Sequence, residues 1–316
     1  MKVMVTGGNG FVGRVLVERL LEDGFLLNGQ PVTSLTVADM SCAGLPEDSR
    51  ITCVEGSIAD ASVLAKAVAG EPEVVFHLAS IPGGAAEKNF ELGLDVNLTA
   101  TVNLYEACRK FSKPPRMVFT STIAVYGSPM PEVVTDESPL KPHISYGYQK
   151  LATELLLQDY SRKGFIDGRI VRLPGIVARP PQPSGLLSAF MSDIFWKLKA
   201  GEPFTCPISA EGVAWFMSVP CCVNNLIHAA SISPEAIAPK RDFTLPVLRL
   251  TMQQLIDGLA EAYGEDRKGL VTFEPDTHLE AGFATQPPLV SDAALALGYQ
   301  HDGDIQTLIK RATSVY

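Results

Sequence analysis

Tyr146 and Lys150 place a phenol and an amine four residues apart in the run Ser145-Tyr146-Gly147-Tyr148-Gln149-Lys150. The residues that follow, Leu151-Ala152-Thr153-Glu154-Leu155-Leu156-Leu157, are good helix formers, so the spacing predicts a helix through the pair. Positions i and i+4 lie on one helix face, about one turn apart, and both side chains can reach the same small volume. A positive charge beside a phenol favours phenolate. Such a tyrosine can exchange a proton near neutral pH as a general acid or base. The same spacing also suits a packed aromatic beside a solvated lysine, so the rest of the chain decides whether a site surrounds it.

The elements before the pair predict that surrounding. Lys2 to Thr6 reads as a short apolar strand running into Gly7-Gly8-Asn9-Gly10-Phe11-Val12-Gly13, with glycines at 7, 10 and 13. An amphipathic helix follows, over about residues 11–22. Strand, glycine turn and helix in that order allow a tight turn, close backbone approach to a pyrophosphate and N–H donors at a helix start. Ser34 to Asp39 reads as a second strand that ends in a carboxylate, placed for adenosine ribose hydroxyls. Met40 and Ser41 come next, with no adjacent arginine for a 2′-phosphate, which points to NAD rather than NADP. Further strands are expected at residues 51–55, 73–78, 116–121 and 168–173. Helices are expected at 61–69, capped by Asp60, and at 89–111. The turn Ala79-Ser80-Ile81-Pro82-Gly83-Gly84 and the hydroxyls of Thr120-Ser121-Thr122 emerge at strand ends, where an open parallel sheet binds ligands. His77, inside an apolar strand, reads as a core residue. The alternation predicts an α/β fold, a Rossmann doubly wound parallel sheet.

The chain has 316 residues, 46% of them hydrophobic and 19% charged, as in an ordinary globular protein. Its net charge of −9 and its lack of a basic block argue against a nucleic-acid partner or an electrostatic membrane anchor. No apolar run reaches the length of a membrane span. A strand-like run from the first residues predicts no leader before the fold, hence a cytoplasmic protein. Cys42, Cys53, Cys108, Cys206, Cys221 and Cys222 show no metal-ligand spacing and are expected as free thiols, with no metal site.

Taken together, these pieces resemble the extended short-chain dehydrogenase/reductases, the group that includes nucleotide-sugar epimerases and dehydratases. The glycine turn, the acidic end of the second strand, His77-Leu78-Ala79-Ser80, Val96-Asn97, Thr120-Ser121-Thr122-Ile123-Ala124-Val125-Tyr126-Gly127 and Tyr146-x-x-x-Lys150 carry the likeness. It extends to the tail Ser291-Asp292 and Leu297-Gly298-Tyr299. The resemblance implies that Tyr146 is the catalytic acid/base and that Lys150 lowers its pKa and holds the nicotinamide ribose. It gives Thr122 the role of hydrogen-bonding the reacting oxygen, with Ser121 as runner-up. It implies NAD as cofactor, bound by Gly7, Asn9, Gly10, Phe11, Val12, Gly13, Asp39, Ser57, Ile58, Leu78, Ala79, Ser80, Asn97, Tyr146, Lys150, Leu173, Pro174 and Ile176. A small-molecule substrate and a homodimer are implied as partners.

Within the family, Gly83-Gly84-Ala85-Ala86-Glu87, residues 89–97 and 154–169, Arg172-Leu173-Pro174 and Cys206-Pro207 look most like the D-erythronate dehydrogenase branch, which oxidises a short sugar acid at carbon 2. Substrate contacts are assigned to Ser80, Gly83, Ser121, Thr122, Gly175, Arg179 and Trp215. Three positions depart from the pattern. Ser57 replaces an acidic residue that meets adenine, Gly175 stands where nucleotide-sugar enzymes carry a diphosphate-binding asparagine, and Val213 replaces an arginine that would pair a carboxylate. Residues 1–173 are therefore expected as the NAD-binding domain. Residues 174–316 are expected as a smaller substrate-binding portion, with short elements returning to the first. That portion begins with a proline-rich loop over 174–185, then a helix at 186–199, a strand-poor stretch to Trp215, and helices at 220–231, 251–264 and 304–314. The alternatives are a nucleotide-sugar 4-epimerase or dehydratase, and a non-catalytic NAD sensor.

Overall fold

The computed structural model describes residues 1–181, 186–238 and 240–316. Seven strands form the central sheet: β1 (Lys2–Thr6), β2 (Ser34–Asp39), β3 (Ile51–Glu55), β4 (Val74–His77), β5 (Arg116–Thr122), β6 (Asp167–Leu173) and β7 (Asp242–Thr244). Their order is β3-β2-β1-β4-β5-β6-β7, and the chain reverses direction of growth beside β1. Pairing from β3 through β5 is parallel, with Val3 opposite both Leu35 and Val74, Val37 opposite Cys53, and Val75 opposite Met117. This is the doubly wound α/β architecture expected from the alternation of apolar strands and amphipathic helices.

By contact density the chain divides into two compact units. One comprises Met1–Val125, Pro142–Arg172 and Val223–Phe243, and the other Tyr126–Lys141, Leu173–Cys222 and Thr244–Tyr316. Met4, Val75, Leu104, Tyr105, Met117 and Phe119 lie in the core of the first. Phe195, Leu198, Phe216, Leu255 and Leu259 lie in that of the second.

Several local expectations are corrected. The segment expected as one helix over 89–111 is a broken series, Phe90–Gly93, a π-helical turn Leu94–Thr99, and Ala100–Cys108, preceded by a short helix Gly83–Lys88. Asn89 interrupts it and caps the new start by accepting from the Leu92 N–H at 3.1 Å. The strand-poor stretch before Trp215 holds two strands. Phe204–Cys206 pairs in parallel with Val271–Phe273, and Val213–Ser218 pairs antiparallel with Leu248–Thr251. Their partners lie far along the chain, beyond any local window. Within the proline-rich loop, Gly175–Val177 is a strand beside Phe216–Ser218; Gln182, Pro183, Ser184 and Gly185 lie outside the described residues. The helix expected from residue 186 spans Phe190–Ala200.

The cysteine expectation also changes. Cys42 and Cys53 form a disulfide, with Cα atoms 6.4 Å apart. The chain leaving β2 folds back over β3, and Glu55 on that strand accepts from the Cys42 N–H at 2.9 Å, which brings the two sulfurs together. Cys108, Cys206, Cys221 and Cys222 are buried and form no disulfide among the described residues.

Candidate active site

The site is assembled where β1, β4 and β5 end. The helix Phe11–Leu21 begins at Gly10, with no side chain capping it and no acidic residue in its first turn. Its start is therefore a site for an anion. The glycines are sterically required. A Cβ on Gly13 would lie 2.1 Å from the Gly7 carbonyl oxygen, and Gly7, at φ 69°, would press a Cβ to 2.8 Å from the Ala79 nitrogen. The turn is thus packed backbone on backbone, with nothing larger than hydrogen tolerated.

Asp39 stands at the end of β2. Its carboxylate accepts from the Asn9 N–H at 2.9 Å and from the Ser41 N–H at 3.4 Å. Arg14, a cation near this end of the site, is committed elsewhere: Nη2 donates to Asn9 Oδ1 at 2.7 Å and to the Ala43 carbonyl at 3.3 Å. Ser57 accepts from the Ala59 N–H through its hydroxyl, and the Ile58 side chain is buried in the core, so Ile58 offers only backbone.

Thr6 links the glycine turn to the end of β4. Its hydroxyl lies 2.7 Å from His77 Nδ1 and accepts from the Ala79 N–H at 3.3 Å. The other His77 nitrogen lies 2.9 Å from the Thr101 hydroxyl. His77 is a core residue, as its apolar strand predicted, and burial holds its imidazole down at about 3, with the Lys150 charge acting in the same direction.

The helix Ser145–Arg162 carries the phenol and the amine. Glu87 accepts from the Ser145 N–H at 2.8 Å, which satisfies a donor at the helix start and places a negative charge there. Gly147 seats the helix against the Ala124 backbone, since a Cβ would lie 2.7 Å from that carbonyl. The Ser80 and Thr122 side chains act on the Tyr146 phenol. Burial raises its phenol above the ordinary value, and these two side chains act in the opposite direction. Thr122 Oγ1 accepts from the Ala124 N–H at 3.1 Å, which fixes its rotamer. Gly83 lies against the Tyr146 ring.

Lys150 is almost wholly buried. Nζ donates to the Thr120 carbonyl at 2.9 Å and sits 4.7 Å from the Phe119 ring centroid and 5.9 Å from that of Tyr146. Burial brings its ammonium down to about 7, partly opposed by the Glu154 charge. Asn97, on the π-helical turn, accepts from the Ile81 N–H at 2.7 Å. It donates to the Ile81 carbonyl at 3.0 Å and to Gln149 Oε1 at 2.8 Å. It therefore binds the turn after β4 to the Tyr146 helix.

Ser80, Gly83, Thr122, Tyr146 and Lys150 come together in the first unit. Ser121 is buried on β5, and its hydroxyl has no protein partner. Leu173, Pro174, Gly175, Ile176, Arg179 and Trp215 belong to the second unit. There the Arg179 carbonyl accepts from Trp196 Nε1 at 2.7 Å. Trp215 is fully buried, with its indole N–H on the Pro287 carbonyl at 2.8 Å and its backbone N–H on Gln286 Oε1 at 2.7 Å. A Cβ on Gly175 would approach the Trp215 carbonyl oxygen to 2.7 Å, which excludes an asparagine at this position. Gln149 and Glu154 were not among the residues that the sequence pointed to. Both are buried, and Glu154 lies four residues beyond Lys150, a continuation of the spacing that revealed the pair.

A glycine turn on a parallel sheet, with a tyrosine and lysine one turn apart at the sheet's carboxyl edge, defines a nucleotide-dependent oxidoreductase of the extended short-chain dehydrogenase/reductase type. Residues 3–215 match the NAD dependent epimerase/dehydratase family, and the chain belongs to it. It is 39% identical over 314 residues to a D-erythronate dehydrogenase of Cupriavidus necator, covering 98% of this chain and 97% of the relative. It is 35% identical to a D-erythronate dehydrogenase of Haemophilus influenzae, with 98% of each covered. Among solved structures, a nucleoside-diphosphate-sugar epimerase from Agrobacterium tumefaciens superposes with a TM-score of 0.92 at 35% identity, over 98% of this chain and 92% of that one. The enzyme is an NAD-dependent oxidoreductase, and its uncapped helix start and tightly packed glycine turn fit the cofactor's pyrophosphate. Among the described residues no helix is long and apolar enough to cross a membrane.

Proposed function

We propose that the protein oxidises a secondary alcohol of a small polyhydroxylated acid of the D-erythronate type, or reduces the matching ketone, with Tyr146 as acid/base. The observation that carries this reading is the Tyr146 ring 5.9 Å from the buried Lys150 Nζ, with the Ser80 and Thr122 side chains acting on its phenol. The two D-erythronate dehydrogenases, matched along nearly the whole chain, support the substrate class.

When bound, NAD supplies the hydride acceptor. The glycine turn with Asn9, Phe11 and Val12 holds its pyrophosphate, Asp39 its adenosine ribose, and Lys150 its nicotinamide ribose. Ser57, Ile58, Leu78, Ala79, Asn97, Leu173, Pro174 and Ile176 line the remainder. Arg14 is tied to Asn9 and Ala43 rather than left to offset a 2′-phosphate beside Asp39, in keeping with NAD. Tyr146, ionised, takes the carbinol proton; in reduction it returns that proton to the carbonyl oxygen. The ammonium of Lys150 favours the phenolate. Thr122, whose oxygen accepts from Ala124, keeps its proton free to donate to the reacting oxygen. Ser80, Gly83, Ser121, Gly175, Arg179 and Trp215 are the remaining substrate positions. The NAD-binding role falls to residues 1–173 and the substrate-binding role to 174–316, with short elements returned between them.

The likeness to a nucleoside-diphosphate-sugar epimerase favours a second reading, 4-epimerisation of a nucleotide sugar. Gly175 counts against it, because the position is walled by Met191 and Trp215 and carries no side chain to hold a diphosphate. Purified protein with NAD and a panel of C4 to C6 sugar acids is expected to produce NADH absorbance. Silence toward every acid, with isomerisation of UDP- or dTDP-sugars, would reject the dehydrogenase. The enzyme acts in the cytoplasm as a homodimer. Exposed Phe90, Leu92, Tyr148, Leu155 and Leu156 on the helical series after β4 and on the Tyr146 helix form the surface that supports the dimer.

A further inference from the structure

Lys150 begins a line of buried charge. Glu154 lies one turn further along the same helix and is completely buried. Arg172, on β6, clamps both its oxygens: Nε lies 3.1 and 3.2 Å from them, and Nη2 lies 2.6 Å from one. The same Nη2 is 2.8 Å from Asp242 at the start of β7. The signs alternate, and Lys240, 4.0 Å from Asp242, continues them. Lys150 spends one donor on the Thr120 carbonyl and faces the Phe119 ring, neither of which carries a charge.

Three titratable groups near Lys150 and Glu154 are uncharged. His77 is held neutral by burial, and Tyr105, which feels the Glu154 charge, is kept as a neutral phenol. Tyr146 itself is a phenol in the resting site. Glu154 is the anion that opposes the effect of burial on Lys150. A buried ammonium without a counter-charge neutralises, and a neutral amine gives no help to a developing phenolate. The ion pair with Arg172 has no stability rationale that demands charge, because packed apolar residues commonly replace such a pair without loss.

We propose that Glu154 is a positioning residue for proton transfer: its carboxylate, clamped by Arg172, supplies the counter-charge that holds the Lys150 ammonium beneath the Tyr146 ring. This rests on the reading of Tyr146 as acid/base. The test is the pH profile of kcat/KM for alcohol oxidation in wild type, E154Q and E154D. In wild type the rate climbs with pH to a plateau. E154Q is expected to displace that limb upward by about one pH unit or more, a loss of about tenfold near neutrality that recovers to within a few-fold at alkaline pH. E154D keeps the charge and should stay near wild type. A uniform fall with the limb unmoved, or no change, overturns the proposal and leaves Glu154 a packing residue.

Should E154Q fail to fold, E154Q/R172M removes the clamp with the carboxylate and avoids a guanidinium left without it. Its limb must also lie above that of wild type, and coincidence with wild type overturns the proposal. The Lys150 Nζ titration, followed by heteronuclear NMR in protein without substrate, gives an independent readout. A midpoint that does not fall in E154Q or in the double variant sinks the counter-charge role. Absence of turnover in wild type toward every hydroxy acid, with the NMR midpoint still shifted, would instead reject the assigned reaction.

Discussion

Tyr146 is surrounded by groups that each do one thing. The Ser80 and Thr122 side chains act on its phenol, Gly83 leaves room beside its ring, and Lys150 provides charge from below. Removing the phenolic oxygen should therefore remove the chemistry and little else. Tyr146→Phe is expected to lower kcat by about 10² to 10⁴, the usual range for a general acid or base. NAD affinity by fluorescence titration should stay within a few-fold of wild type. Retained turnover would take the acid/base role away from Tyr146. The pair was legible in the sequence because a four-residue spacing on a helix is a local relation. The Ser80 partner was legible only as a polar residue at a strand end. Gln149 and Glu154 look like ordinary helix residues until the sheet that buries them is in place.

Helix ends and interruptions set the aim of these side chains. The π-helical turn Leu94–Thr99 directs Asn97 at Ile81 and Gln149, a use of wide turns common at functional sites. A 3.6-residue periodicity does not reveal one widened turn, so the segment read as continuous. Glu87 caps the Tyr146 helix from the short helix Gly83–Lys88, which the sequence suggested was a turn of small residues. The outer faces of these same elements carry the apolar residues assigned to the dimer. Leu155 is 57% exposed, a large area for an aliphatic side chain to leave in water. Leu155→Glu should convert a dimer to monomer in light scattering while the far-UV circular dichroism is unchanged. A wild type that is monomeric at micromolar concentration would refute the assembly.

Over the whole molecule, one buried histidine ties stability to pH. His77 is held at about 3 in the folded protein, below the ordinary value near 6.5. As pH falls through about 6.5 the unfolded chain takes up the proton first. Stability is therefore fully present above that value and is lost progressively down to about 3. The contribution is of order 5 kcal/mol. Urea unfolding between pH 7 and 4 should show this slope, and His77→Gln should flatten it. An equal slope in the variant would assign acid sensitivity to other groups. The two units each assemble from three separated chain segments, so Tyr126–Lys141 packs with residues from the far end of the chain, as in the bridge of Val134 to Leu289.

What the sequence determined by itself was the set of relations that act within a turn or a strand. These include the glycine spacing before the first helix, the acidic end of β2, the Tyr146 and Lys150 pair, and the βα alternation that dictates a parallel sheet. Each depends on neighbours a few residues away and on steric rules that hold in any context. The tertiary structure decided what depends on distant partners. It joined Cys42 to Cys53, made strands of 204–206 and 213–218, and closed Gly175 against Met191 and Trp215. It also set Lys150, Glu154, Arg172 and Asp242 in one line. Strand pairing and burial are properties of surfaces that meet only on folding, and a buried charge shows its purpose only when its counter-charge is in view.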